Sequence, residues 1–146
     1  MQTEDFDVGA EMARLRQGNP KIGAIASFVG LVRDLNDNQS VSEMVLEHYP
    51  GMTEKSLEEI VAQAKQRWDI YDALVIHRVG ALKPLDQIVL VITASAHRGE
   101  AFASCEFIMD YLKTQAPFWK KEQTPGGARW VDARETDDTA AQRWQS

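Results

Sequence analysis

The sequence predicts a single α+β domain, spanning residues 1–146, with a mostly antiparallel sheet. Three observations predict it. A chain of 146 residues is the size of one ordinary domain and can bury a core without metals or disulfides. Apolar residues recur with a 3.6-residue period in some stretches and run continuously in others. The resulting order is helix, two strands, helix, two strands, helix, strand, which segregates helices against an antiparallel sheet.

Each element has its own warrant. Val8, Met12 and Leu15 mark a short amphipathic helix that "GNP" at 18–20 stops. "GAIASFVGLVR" (23–33) is apolar, partly β-branched and bounded by turn residues, so it reads as a buried strand. "DLNDNQS" (34–40) is a polar loop, and "VSEMVLEHY" (41–49) is a second strand whose Glu43, Glu47 and His48 leave one face half buried. "PGMT" opens a helix with Thr53 as the expected N-cap, and Leu57, Ile60, Val61, Ala64 and Trp68 give its stripe. "ALVIHRVG" (73–80) and "QIVLVITAS" (87–95) are two further strands, joined by a turn through Lys83, Pro84, Leu85 and Asp86; the second is apolar enough to be central. Phe102, Cys105, Ile108, Met109 and Leu112 trace a helix that Pro117 must end near Ala116. "ARWVDA" (128–133) is a last strand after "TPGG", and residues 1–6 and 135–146 are expected to be flexible ends.

Composition narrows the function. With 16 basic and 22 acidic residues the net charge is -6, which argues against non-specific nucleic-acid binding. An RNA-binding module is disfavoured for the same reason and for want of an aromatic-rich basic strand. No apolar run approaches the roughly 20 residues of a spanning helix, and the first residues carry no secretory pattern, so a cytoplasmic location away from membranes is expected. Cys105, the one cysteine, lies in an apolar helical stripe and reads as a buried inert thiol. The histidines have no metal-ligand spacing, and there is no glycine-rich phosphate loop; neither metal nor cofactor is expected.

Two stretches carry candidate chemistry. In "YLKTQAPFWKKE" (111–122), Lys113, Lys120 and Lys121 surround Pro117, Phe118 and Trp119 with no carboxylate from Lys113 to Lys121. Either the lysine stems cover apolar surface, or two lysines face a shared anionic ligand with one desolvated enough to move a proton. In "TASAHRGEAF", His97 and Arg98 sit where a strand passes into a helix. There they either cap the helix and pair with Glu100 or Glu106, or join its unpaired N–H groups in an anion site. Arg33, at the end of the first strand, reads as a solvated strand end. His48, His77 and Arg78 lie inside strands and read as structural.

Taken together, "LEHYPGMTEKSLEEI", "IHRVGAL", "SAHRGEAF", "YLKTQAPFWKKE" and "RWVDAR" resemble the large, catalytic subunits of molybdopterin synthase, in order and with the right gaps from about Gly23 to Arg134. The resemblance implies an α/β hammerhead fold with an additional antiparallel β subdomain. It implies a sulfurtransferase that takes sulfur from the C-terminal Gly-Gly thiocarboxylate of a small ubiquitin-like subunit. The acceptor is cyclic pyranopterin monophosphate, and the product is the dithiolene of molybdopterin, in molybdenum cofactor biosynthesis. A homodimer of large subunits, with two small subunits a heterotetramer, is implied as well. Lys113 and Lys120 match the family's active-site lysines, and His97 and Arg98 its phosphate-binding pair. Arg33 matches the substrate-binding arginine that ends the family's first strand and Arg134 a late arginine near the pocket, while Phe28 and Met109 align with apolar pocket positions that otherwise read as core. The chain departs from the pattern at "DLNDNQS", where many relatives have an Asn-His-Asn run, and at Leu85, where glycine is common. The rival readings are a non-catalytic docking module for a Gly-Gly tail and a phosphate-ester hydrolase built on His97, which lacks a nucleophile.

Overall fold

The computed structural model describes residues 1–36, 39–40, 43–116, 118–124, 127–131, 142 and 144, and it gives side chains for 1–34, 43–116, 118, 142 and 144. The elements in chain order are α1 (Val8–Arg16), β1 (Ala24–Leu31), β2 (Leu35–Asn36), β3 (Gln39–Ser40), β4 (Glu43–His48), α2 (Met52–Arg67), β5 (Ile70–His77), β6 (Gly80–Leu82), β7 (Gln87–Ser95), α3 (Arg98–Gln115), β8 (Phe118–Thr124) and β9 (Gly127–Val131). This is an α+β architecture in which every strand pairing within the sheets is antiparallel.

β7 is the middle of a three-stranded sheet, β1-β7-β5. Its continuous apolar run is what a strand covered on both faces requires, and every residue from Val89 to Ser95 is buried. Leu57, Ile60 and Ala64 of α2, together with Phe107, Ile108 and Leu112 of α3, close the main core over Ala26, Val89 and Val91. Phe107 is fully buried and meets Trp68 and Tyr111 edge to face, at centroid distances of 5.2 and 4.5 Å. Truncating such a ring to alanine costs about 3–5 kcal/mol.

The second sheet runs β6-β4-β8-β9 and is the additional antiparallel unit. It has its own small cluster, Val32, Met44 and Leu82. Between the sheets the chain turns at Lys83–Asp86, where the Leu85 N–H donates to the Val32 carbonyl at 2.8 Å and the Val32 N–H to the Asp86 carbonyl at 3.0 Å. Leu85 has φ 75° and is 81% exposed. This left-handed backbone is the physical reason a glycine suits the position.

Several elements differ from expectation. The helix after "PG" is capped at Gly51 rather than Thr53. Thr53 lies inside the first turn, fully buried, and its hydroxyl accepts from the Tyr49 N–H at 3.0 Å, while the Glu54 carboxylate accepts from the Gly51 N–H. The "DLNDNQS" loop contains the two-residue strands β2 and β3. "FWKKEQT", expected only as the exit of a helix, is strand β8; its polar residues carry no period of their own, and pairing with β4 and β9 fixes it. Trp144, within the stretch expected to be a flexible end, packs edge to face on Trp68 and donates from Nε1 to Asp110 Oδ2 at 2.6 Å.

Cys105 is buried, its Sγ 3.9 Å from the Val91 carbonyl. Burial, and secondarily the Glu106 carboxylate, pushes its thiol up to about 11, so it stays protonated at neutral pH. Native protein at pH 8 should therefore resist an aromatic disulfide reagent for minutes to hours, whereas denaturant should release its one thiol at once. Rapid native labelling would contradict this packing.

Candidate functional site

The site residues are placed by the way α3 lies on β7. Thr93 Oγ1 donates to the Ala101 carbonyl at 2.7 Å, and Cys105 Sγ approaches the Val91 carbonyl. Rising numbers along the helix thus meet falling numbers along the strand, and α3 runs antiparallel to β7. His97 and Arg98 therefore stand at the Ser95 end of the sheet and Lys113 at the Gln87 end. The 15-residue interval from Arg98 to Lys113 spans about 22 Å of helix.

At the Ser95 end, His97 is the N-cap of α3, in extended backbone with φ -130°, and makes no side-chain cap hydrogen bond. Its N–H is 3.4 Å from Ser95 Oγ, and that hydroxyl in turn donates to the Asp69 carbonyl at 2.9 Å. Ser95 is buried and thereby fixes the strand-to-helix junction. Sequence reading passed over it; the signal was a small polar residue closing an otherwise apolar strand. Both His97 and Arg98 are exposed. The Arg98 guanidinium and the first-turn N–H groups are the positive elements here, with the Glu100 carboxylate in the same turn.

At the other end, Arg33 follows β1, whose Leu31 pairs with Gln87, so it shares the end of the sheet at which α3 finishes. It is exposed. Lys113 occupies the last turn of α3 and is also exposed. The helix stops at the Ala116 cap, as Pro117 demands, and Phe118 begins β8 with its N–H donating to the Ala116 carbonyl at 3.0 Å. Lys120 lies in β8 with its backbone paired between Leu46 and Val131. A helix-to-strand corner thus separates the two lysines. Arg134 lies outside the described residues.

Phe28, on edge strand β1, is 43% exposed, whereas Met109 is buried in the main core. Gly30 accommodates the Phe28 ring: a Cβ there would stand 2.7 Å from Val89 Cγ1 and 3.4 Å from Phe28 Cε1. Among the described residues no cluster of His, Cys, Asp and Glu could hold a metal ion.

The model of the family described as MoaE protein matches residues 1–115. The chain belongs to the MoaE family. A molybdopterin synthase catalytic subunit from Ralstonia nicotianae is 72% identical over 144 residues, 99% of this chain and 82% of that protein. The solved molybdopterin biosynthesis MoaE protein from Burkholderia ambifaria superposes with a TM-score of 0.85 at 66% identity, covering 99% of this chain and 95% of that one. A complex of subunits 1 and 2 of the molybdopterin-converting factor from Helicobacter pylori shares the fold at a TM-score of 0.68 and 20% identity, covering 92% and 89%. The sulfur transfer implied by the sequence motifs, a step of molybdenum cofactor biosynthesis, is the activity of this MoaE chain.

Within the MoaE chain, then, Arg33, Lys113 and the strand bearing Lys120 share one end, and His97 and Arg98 occupy the opposite one. The junction at the latter end depends on a close approach: a Cβ on Gly23 would lie 2.4 Å from the Ala96 carbonyl oxygen. Gly23→Ala should push β1 away from the backbone before His97 and cost about 1–3 kcal/mol in a urea titration. An unchanged midpoint would mean the junction is looser than its geometry.

Proposed function

We propose that Lys113 and Lys120 form the reaction centre for sulfur transfer, and that His97 and Arg98 bind the phosphate of cyclic pyranopterin monophosphate. The sulfur comes from the C-terminal thiocarboxylate of a small ubiquitin-like subunit, whose Gly-Gly tail reaches the corner between α3 and β8. Two MoaE chains form a homodimer, and with two small subunits a heterotetramer, in the cytoplasm. Both ligands are anionic, so an acidic chain needs local cations to hold them.

The observation that carries this reading is the helix-to-strand corner, which places Lys113 at the exit of α3 and Lys120 just beyond, on β8. The thiocarboxylate sulfur attacks the pterin side chain while Lys113 moves the proton to the departing oxygen. Lys120 orients the thiocarboxylate and offsets developing charge. Arg33 and Arg134 add positive charge to the pocket, with Phe28 and Met109 as its apolar neighbours. Lys113 is exposed in the single chain, so its desolvation must come from the bound tail and a second chain. The separation of about 22 Å between Arg98 and Lys113 supports the same conclusion. The two ends of one helix then serve one pterin best in a symmetric pair of chains, with one subunit's His97 and Arg98 facing the other's lysines.

Mixing the protein with thiocarboxylated small subunit and cyclic pyranopterin monophosphate, and following the fluorescence of oxidised molybdopterin, tests the centre. Lys113→Ala should lower turnover by about 10²–10⁴-fold while small-subunit affinity stays within twofold; lost affinity with normal chemistry would remove Lys113 from the reaction.

Subunit mixing tests the shared site. Lys113→Ala and Arg98→Ala homodimers should each be nearly inactive. Hybrids of the two regain one intact site each, so statistical mixing should restore about a quarter of wild-type turnover. No recovery in verified hybrids would put both residues in one chain's site.

A further inference from the structure

His77, the last residue of β5, is buried at 5% exposure. Its ring stacks on that of Phe118, the first residue of β8, with centroids 4.1 Å apart and planes at 23°. The two rings belong to different sheets, β1-β7-β5 and β6-β4-β8-β9. The contact therefore joins the layer that carries α3 to the strand that carries Lys120.

The imidazole sits on a firm platform. The His77 backbone pairs with Val89 of the central strand, and its carbonyl accepts from the Gln2 N–H at 3.0 Å. Its Nδ1 is 2.9 Å from the Arg78 carbonyl, which can only accept, so Nδ1 carries the proton and the ring orientation is set. Arg78 is itself held, Nε donating to the Thr3 carbonyl at 3.1 Å and Nη1 to the Gln87 carbonyl at 2.9 Å. Phe118, by contrast, comes straight after the corner that α3 leaves at Ala116. On the four-stranded sheet its register partner is His48.

We propose that His77 is a positioning residue for the sulfur-transfer reaction: stacked on Phe118, it fixes the start of β8 and so the place of Lys120, two residues further on. This rests on the role proposed for Lys120. His77 touches no substrate; it acts through Phe118. Sheet pairing fixes β8 against β4, and Phe118, packed on the main core, is where the start of β8 meets the layer that carries α3. The stack holds Phe118 against His77 at this junction, and a misplacement of about 1 Å at a reacting group can cost on the order of a hundredfold.

The test measures kcat, KM for the pterin and small-subunit affinity for His77→Leu, His77→Phe, Phe118→Leu and Lys120→Ala, with folding checked by circular dichroism. His77→Leu fills a similar volume but gives up both the stack and the hydrogen bond from Nδ1 to the Arg78 carbonyl, whereas His77→Phe gives up the hydrogen bond alone. We expect His77→Leu and Phe118→Leu each to lower kcat by about tenfold or more, with KM and affinity within about threefold. The double variant should be no worse than either single one, and His77→Phe, which preserves the stack, should recover most of kcat. A kcat for folded His77→Leu within twofold of wild type, additive losses in the double variant, or no recovery in His77→Phe would each overturn the inference while leaving an inactive Lys120→Ala unexplained by it. Full turnover in Lys120→Ala would overturn the role of Lys120 and this inference together.

Discussion

Strand β7 is covered on both faces, and the positions of the candidate residues follow from that constraint. Leu90, Val91, Ile92 and Ala94 have no exposed surface, so a polar group on this strand must find its partner inside the protein. Thr93 and Ser95 do so, the first at the Ala101 carbonyl and the second at the Asp69 carbonyl. Those two hydrogen bonds fasten the first turn of α3 and the loop before β5 to the same strand end. The burial that stabilises the core thereby aims the helix that bears His97, Arg98 and Lys113.

A rigid helix used end to end cannot gather its own termini. The family resemblance assigns His97 and Arg98 to the substrate's phosphate and Lys113 to the chemistry on the same substrate, yet 15 residues of helix are about 22 Å long. What the sequence left open was whether the helix is straight and unbroken between them. One uninterrupted helix runs from Arg98 to Gln115, and its contacts at Ala101 and Cys105 lay its first half along β7. Under the proposed function, a second chain is then the economical source of the missing half-site.

The elements legible in the sequence were those whose signal is local and strong. β7 matched its apolar run at both ends, and α3 stopped where Pro117 forbids another turn. Elements made by tertiary pairing were not legible. β8 is a strand because β4 and β9 flank it, and "KKEQ" by itself alternates nothing. Thr53 looked like a cap because threonine caps helices, yet Gly51, with φ 84°, turns the chain two residues earlier and leaves Thr53 to bond backward to Tyr49. At the site, the candidate cations were readable by residue type. Ser95 and the His77 ring were not, since their parts depend on neighbours 26 and 41 residues away.

The helix macrodipole separates the two ends of α3 further. Lys113 sits in the last turn, where the dipole favours a cation, so its position is accounted for by helix stability even without a ligand. Arg98 sits at the first helical position, where the dipole opposes a cation by about 0.3–1 kcal/mol, and the nearby imidazole of His97 offers the backbone no capping oxygen. That arrangement is unfavourable to the empty protein and favourable once an anion binds, because the N–H groups and the guanidinium then attract the same charge. An arginine at this end is thus stronger evidence for a phosphate than a lysine at the other is for a catalyst.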